Sequence, residues 1–212
     1  MTRFARIELR TTDVDAARAF YAAVLPGGAD DVTALPAALR ERGVPAHWLG
    51  HLGVDDVEAA TRAFVALGAS LPGPPRPGAP VTVRDPGGAV VALTPGGAPE
   101  RRDVAWHQLL CGDLERTAAA YAGAFGWRFG PREGAQQRFG WDAGADAGLL
   151  VDVAAWPGAH PHWLFHFAVP DLDAAVAEVR ARGGVVAAVV DTGGARVAVC
   201  EDPQGAAFAL RG

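Results

Sequence analysis

Cysteine is scarce in this chain: Cys111 and Cys200 are its only two in 212 residues, alongside a single methionine. Both cysteines fall in apolar, strand-like sequence, which points to inert buried thiols rather than a disulfide framework. No apolar run reaches the roughly 18–20 residues that span a bilayer. The opening MTRFARIELRTTD lacks the apolar core of a signal peptide, so a cytoplasmic location is expected. Basic charge is also short: 19 Lys and Arg against 24 Asp and Glu leave a net charge of -5. With no basic field for nucleic-acid phosphates or anionic lipid, neither nucleic acid nor a membrane is an expected partner.

What the chain does have is ordinary globular composition, half apolar and one-fifth charged, and a repeat. The stretch PHWLFHFAVPDLDAAVAEVRARGG, Pro161 to Gly184, resembles PAHWLGHLGVDDVEAATRAFVALGA at Pro45 to Ala69. Each copy starts with strand-like sequence, meets an Asp suited to capping a helix, and continues with helical spacing until a Gly stops it. The same unit occurs at ARIELRTTDVDAARAFYAAVL, capped by Asp13, and at VAWHQLLCGDLERTAAAYAGAF, capped by Asp113. VTVRDPGGAVVALT and VAVCEDPQGAAFALRG are both predicted hairpins, because Pro presets one turn residue and Gly tolerates positive φ at another.

Three landmark pairs recur in one order: Asp13 with Asp113, Asp56 with Asp171, and Asp85 with Asp202. They define a half-repeat of about a hundred residues and two domains, 1–97 and 103–212, joined by the linker around PGGAPERRD. Between units the halves differ. The first-half connector, Pro26 to Val44, has about 19 residues, where three strands with turns need roughly 25. It holds at most a short strand, Val32 to Leu35, and a helical turn after Pro36. The second-half connector is long enough for three short strands. The first half is therefore expected to be truncated, a packing platform beside a second half that holds the more complete pocket.

IELRTTDVDAARAFY, WLGHLGVDDVEAA, DPGGAVVAL, WHQLLCGDLERTAAAYAGAFGW, WLFHFAVPDLDAA and DPQGAAFAL together resemble the vicinal oxygen chelate superfamily, the glyoxalase, bleomycin resistance protein and dioxygenase group, in its two-domain bacterial form. The resemblance implies an α+β fold of tandem βαβββ modules whose two mixed sheets curl into cups around a small-molecule pocket. In metal-using members it implies ligands seven residues before each capping Asp and a Glu near the end of each closing strand. Here those positions hold Arg6, Leu49, Trp106 and Leu164, then Ala92 and Ala209. None is a usual ligand of a divalent ion, so no metal cofactor is expected. That absence bears against glyoxalase-type isomerisation and dioxygenase chemistry, which in this group use the ion to stabilise anionic oxygen.

Five residues before each cap stand Glu8, His51, Gln108 and His166, which share a strand face with the vacant positions by alternation. If first strands of paired modules lie side by side, as the resemblance implies, Glu8 meets His51 and Gln108 meets His166. Such pairs either satisfy buried polar groups, recognise a ligand, or make a general acid or base. His47 and His162 share those faces, but four strand residues span about 13 Å, too far for a common ion. By parity Trp48 and Trp163 pack under the helices, while Trp106, with Trp127, Phe139 and Trp141, is expected to line the second cup.

The leading expectation is a protein that binds a small apolar or aromatic molecule without the metal site, through Trp106, Gln108, His166, Glu8 and His51. One alternative is a metal-dependent lyase or dioxygenase with ligands relocated to Glu8, His51, Gln108 and His166. Another is a non-catalytic interaction module. Monomer and homodimer are both open.

Overall fold

The computed structural model describes residues 2–76, 78–96, 103–192 and 194–212. Most of the expected linker, residues 97–102, lies outside them. In chain order the elements are β1 (Phe4–Thr11), α1 (Val14–Val24), β2 (Val32–Ala34), α2 (Ala37–Glu41), β3 (His47–Val54), α3 (Val57–Ala66), β4 (Val81–Arg84) and β5 (Val90–Pro95). They continue with β6 (Val104–Cys111), α4 (Leu114–Phe125), β7 (Arg128–Glu133), β8 (Gln136–Gly140), β9 (Gly148–Asp152), β10 (His162–Ala168), α5 (Leu172–Ala181), β11 (Val185–Asp191), β12 (Arg196–Glu201) and β13 (Ala207–Arg211).

The strands form two mixed sheets, one of five in the order β2-β1-β3-β5-β4 and one of eight in the order β11-β12-β13-β10-β6-β9-β8-β7. The third and fourth modules are complete βαβββ units. In the first module the short connector yields only β2 and the single turn α2, and the second has only β4 and β5 after its helix. Truncation of the first half is thus a property of the fold. Strand β11, by contrast, belongs to a hairpin that the motif reading passes over.

Each long helix starts where an Asp carboxylate accepts a backbone N–H that the helix itself leaves without a partner. Asp13 accepts from Ala16, Asp56 from Ala59, Asp113 from Arg116 and Asp171 from Ala174, all at 2.9–3.0 Å. Helix α4 ends on Gly126 at φ 73°, a left-handed conformation that glycine adopts without a Cβ penalty.

The chain packs as two compact units, each drawn from several stretches of sequence. One comprises residues Met1–Arg6, Gly50–Glu100 and His107–Trp163; the other comprises Ile7–Leu49, Arg101–Trp106 and Leu164–Gly212. In the first, α3 packs against α4 and Phe64 meets Tyr121 and Phe125 with ring centroids 5.1 and 4.9 Å apart. In the second, α1 packs against α5, and Phe20, Tyr21, Trp48, Phe167 and Phe208 form the aromatic core.

The same polar device stands in each core. In the second unit the Trp48 indole donates to the Tyr21 hydroxyl at 3.1 Å, and that hydroxyl donates to Asp202 at 3.1 Å. In the first, Trp163 donates to Tyr121 at 3.3 Å and Tyr121 to Asp85 at 3.1 Å. Trp48 and Trp163 thus pack under the helices as their parity requires, each with its buried N–H satisfied. Each Asp-Pro-x-Gly hairpin is closed by its own Asp: Ala89 N–H donates to Asp85 at 2.9 Å, and Ala206 N–H to Asp202 at 2.8 Å.

Candidate functional site

Burial separates the two faces of β6, while β10 is buried on both faces from Trp163 to Phe167. On β6, His107, Leu109 and Cys111 are buried, whereas Trp106, Gln108 and Leu110 are half-buried. On β10, Phe165 and Phe167 turn to the core, Phe167 lying 5.2 Å from Trp48, which leaves His166 on the other face. The expected alternation is thus present on β6, and the ring contact of Phe167 gives the facing on β10.

In the second compact unit, His166 is 4% exposed and lies directly opposite Ala209 of β13 in a parallel register. Two residues further along β13, and so on the same face, Arg211 places its guanidinium 5.6 Å from the centroid of the Trp106 ring. Val199 of β12 faces Ala209 from the other side. The result is an apolar surface with one imidazole, one indole and one cation, all turned away from the α1 side of the sheet. Arg211 was not among the expected site residues. Its signal in the sequence was its spacing, two positions after the vacant Glu position of the closing strand.

Glu8 also belongs to this unit and is buried. Its carboxylate accepts from Thr33 of β2 at 2.6 Å and pairs with Arg10 at 3.3 Å. Nearby His47 is held below its ordinary pKa mainly by burial, with Arg10 adding to the effect and the Pro45 carbonyl and Glu8 opposing it. Its Nδ1 lies 2.9 Å from the Pro45 carbonyl.

His51 and Gln108 belong to the first unit. His51 is fully buried and pairs across the ladder with Ala92 of β5, which pairs in turn with Thr82 of β4. The Arg6 guanidinium lies 3.4 Å from His51 Nε2. A guanidinium has no lone pair to offer, so in this contact Nε2 is the acceptor. Gln108 is half-buried and lies opposite Leu149 of β9. The five candidates are therefore divided between the compact units, Glu8, Trp106 and His166 in one and His51 and Gln108 in the other.

The positions where metal-using relatives would carry ligands hold a guanidinium at Arg6, an indole at Trp106, alkyl chains at Leu49 and Leu164, and methyls at Ala92 and Ala209. These do not fit a divalent ion. Moreover, the lone pair of His51 Nε2 points to Arg6. Among the described residues no group of three or more His, Cys, Asp or Glu side chains is arranged to hold a metal.

Three aromatic residues expected in the second cup are elsewhere. Trp127 and Phe139 are 3% and 0% exposed and form a stack with Tyr121 of α4, with successive centroids 4.6 and 5.1 Å apart. Trp141 meets Trp127 edge-on at 4.6 Å and His107 at 5.1 Å. Gly148 explains the arrangement: a Cβ there would lie 2.4 Å from the Phe139 ring, so the missing side chain admits the phenyl group to the core face. Loop parity over Gly-rich sequence gave no hint of this.

Comparison with known proteins agrees with the module pattern. The glyoxalase-like domain family matches residues 105–211, just over half of the chain. "Putative glyoxylase CFP32" of Mycobacterium bovis is 29% identical over 242 aligned positions, covering 96% of this chain and 92% of that protein, and the protein of the same name from Mycobacterium tuberculosis matches equally. Among solved structures, the Mn(II)-bound glyoxalase from Novosphingobium aromaticivorans superposes with a TM-score of 0.64 at 12% identity, covering 100% of this chain and 83% of that one. The 2,3-dioxygenase LapB from Pseudomonas sp. KL28 gives 0.66 at 12% identity, with 99% and 91% coverage. At such identities these structures speak to the fold alone. With its four capped modules, paired hairpins and family match, the chain belongs to the glyoxalase-like domain family.

Proposed function

We propose that the protein binds a small apolar or aromatic molecule without a metal ion, on the surface built by Trp106, His166 and Arg211 around Ala209. The observation that carries this reading is the Arg211 guanidinium 5.6 Å from the Trp106 ring, beside a buried imidazole and two small apolar side chains. Apolar walls with a few fixed polar groups are the usual make-up of a small-molecule site. The indole offers a flat face to an aromatic ring. His166 and Arg211 supply a hydrogen bond and a positive charge for an oxygen substituent. Aromatic carboxylates and phenols are the first ligands to try.

The chemistry of the donor set supports the metal-free part of the reading, because Trp106, Leu164 and Ala209 replace the expected ligands with groups that bind no divalent ion.

The test is a thermal-shift screen of aromatic carboxylates and phenols in chelator-treated protein, followed by calorimetry on W106A and H166A. Saturable binding that survives chelation and falls at least tenfold in either variant is the expected result. Binding that requires added Mn, Fe, Ni or Zn would overturn the reading and favour a lyase or dioxygenase with relocated ligands.

A further inference from the structure

Three of the four sheet edges are protected against strand addition. Edge β2 is only three residues long. The outer side of edge β4 is bridged by Ser70, which exchanges both backbone hydrogen bonds with Arg84 at 2.8 Å. Edge β7, RFGPRE, carries Pro131 and three charges. Short length, covering contacts, charge, proline and bulges are recognised ways of blunting an edge. Edge β11 has only a bulge, between Val186 and Ala188, and along VVAAVV it is neither short, covered, charged nor interrupted by proline; Val185, Val189 and Val190 are 54%, 44% and 45% exposed.

The sequence of that edge reads the same in both directions: Val185-Val186-Ala187-Ala188-Val189-Val190. Antiparallel pairing with itself about a twofold axis therefore sets Val against Val and Ala against Ala. At its flanks Arg182 is paired with Glu178 at 3.0 Å and Asp191 lies opposite Arg196, so neither end adds an unbalanced charge against a second copy.

In an unbroken strand this pairing would fail. Alternate residues point their N–H and C=O to opposite sides, so Val186 and Val189, an odd number apart, would face opposite ways. Here the ladder to β12 shifts register between Val186 and Ala188. Thr192 N–H bonds to Ala195 O at 3.0 Å, so Val190 and Ala188, opposite Val197 and Val199, also direct their backbone groups toward β12. Val189 then points away. The extra residue, Ala187, reverses the phase, so Val186, opposite Cys200, points away too. The bulge sits at the centre of the palindrome and restores the symmetry that the pairing needs.

We propose that β11 is a homodimer interface, in which the strand pairs antiparallel with β11 of a second copy, Val186 of each opposite Val189 of the other. Four backbone hydrogen bonds then join the two Val186–Val189 pairs. The valine side chains next to them leave water. A strand pair this short buries less than the roughly 1,200–2,000 Å² of a standard stable interface, so the dimer is weak and concentration-dependent.

Sedimentation velocity over a dilution series of the full chain tests this. The average mass of the unaltered protein should rise toward twice the monomer mass with concentration. V189P removes an outward N–H without touching the β12 ladder, and V189K places a charge in the pairing surface; both should stay at monomer mass with unchanged circular dichroism. If V189P loses its fold, V189K decides. The amides of Val186 and Val189 should exchange more slowly as concentration rises. Monomer mass at every concentration, or a dimer that persists in folded V189K, would overturn the proposal.

Discussion

Tyr121 gives its phenolic hydrogen to Asp85 at 3.1 Å, joining a helix of the third module to a hairpin of the second. Burial, the largest cause, raises the Asp85 carboxyl from its ordinary value to about 6, despite the opposing hydrogen bonds from Tyr121 and the turn. The neutral acid is therefore the form the fold prefers. A shift of this size corresponds to roughly 3 kcal/mol. Because the folded value lies above the unfolded one, the contribution is fully present below about pH 4 and is lost as pH rises through about 6. Urea unfolding of the protein and of D85N across pH 4–8 should show the stability advantage of the native residue shrinking over that interval and then levelling off. A pH-independent difference would refute it.

Gly148 is the second point of leverage. A Cβ there would lie 2.3 Å from the His107 carbonyl and 2.4 Å from the Phe139 ring. The carbonyl is part of the β6–β9 region and the ring is stacked on Trp127, so neither can yield cheaply. G148A should lose about 1–3 kcal/mol through overpacking. For a chain of this length, each kcal/mol lowers Tm by roughly 2–4 °C. Differential scanning calorimetry measures it, and an unchanged Tm would contradict the account of the aromatic stack.

The four helix caps should behave alike. Asp56 and Asp171 each accept a single exposed N–H at 2.9 Å. D56A and D171A should each cost about 1 kcal/mol, while the asparagine variants, which keep an acceptor, should cost only a few tenths. Chemical denaturation of the four variants distinguishes capping from any general effect of charge removal.

Thiol chemistry should be silent in the native state. Burial, the main cause at both sites, pushes the Cys111 and Cys200 thiols up to about 12, and both are 0% exposed. Ellman's reagent should label neither cysteine in folded protein and both in urea. Fast labelling of the native protein would show that one of these strands opens.

Local chemistry explains what could be read in advance. A capping Asp, a Pro-Gly turn and a helical stripe each act within a few residues, so Asp13, Asp56, Asp113 and Asp171 were identifiable, as were both hairpins and the shortened first half. The bond between Tyr21 and Asp202 has no such local cause. Even so, Tyr21 and Tyr121 stand at the same distance after their caps, and Trp48 and Trp163 at the same distance before theirs. That recurrence was a signal of a shared polar role. The positions of Trp127 and Phe139 depended on a gap at Gly148 in a different strand, which no periodicity within their own segments encodes. Strand parity placed Trp106 and His166 correctly on a face, but the guanidinium over Trp106 is a matter of register between distant strands.

The crossed Tyr–Asp bonds also set an order on synthesis. Asp85 precedes Tyr121, so that core's hydrogen-bonded pair is complete once the fourth helix has been made. Tyr21 must wait for Asp202, 181 positions later. At the usual 5–20 residues per second, that wait is roughly 10–40 s. During it, the first helix lacks the Asp202 carboxylate that receives its phenol in the folded chain.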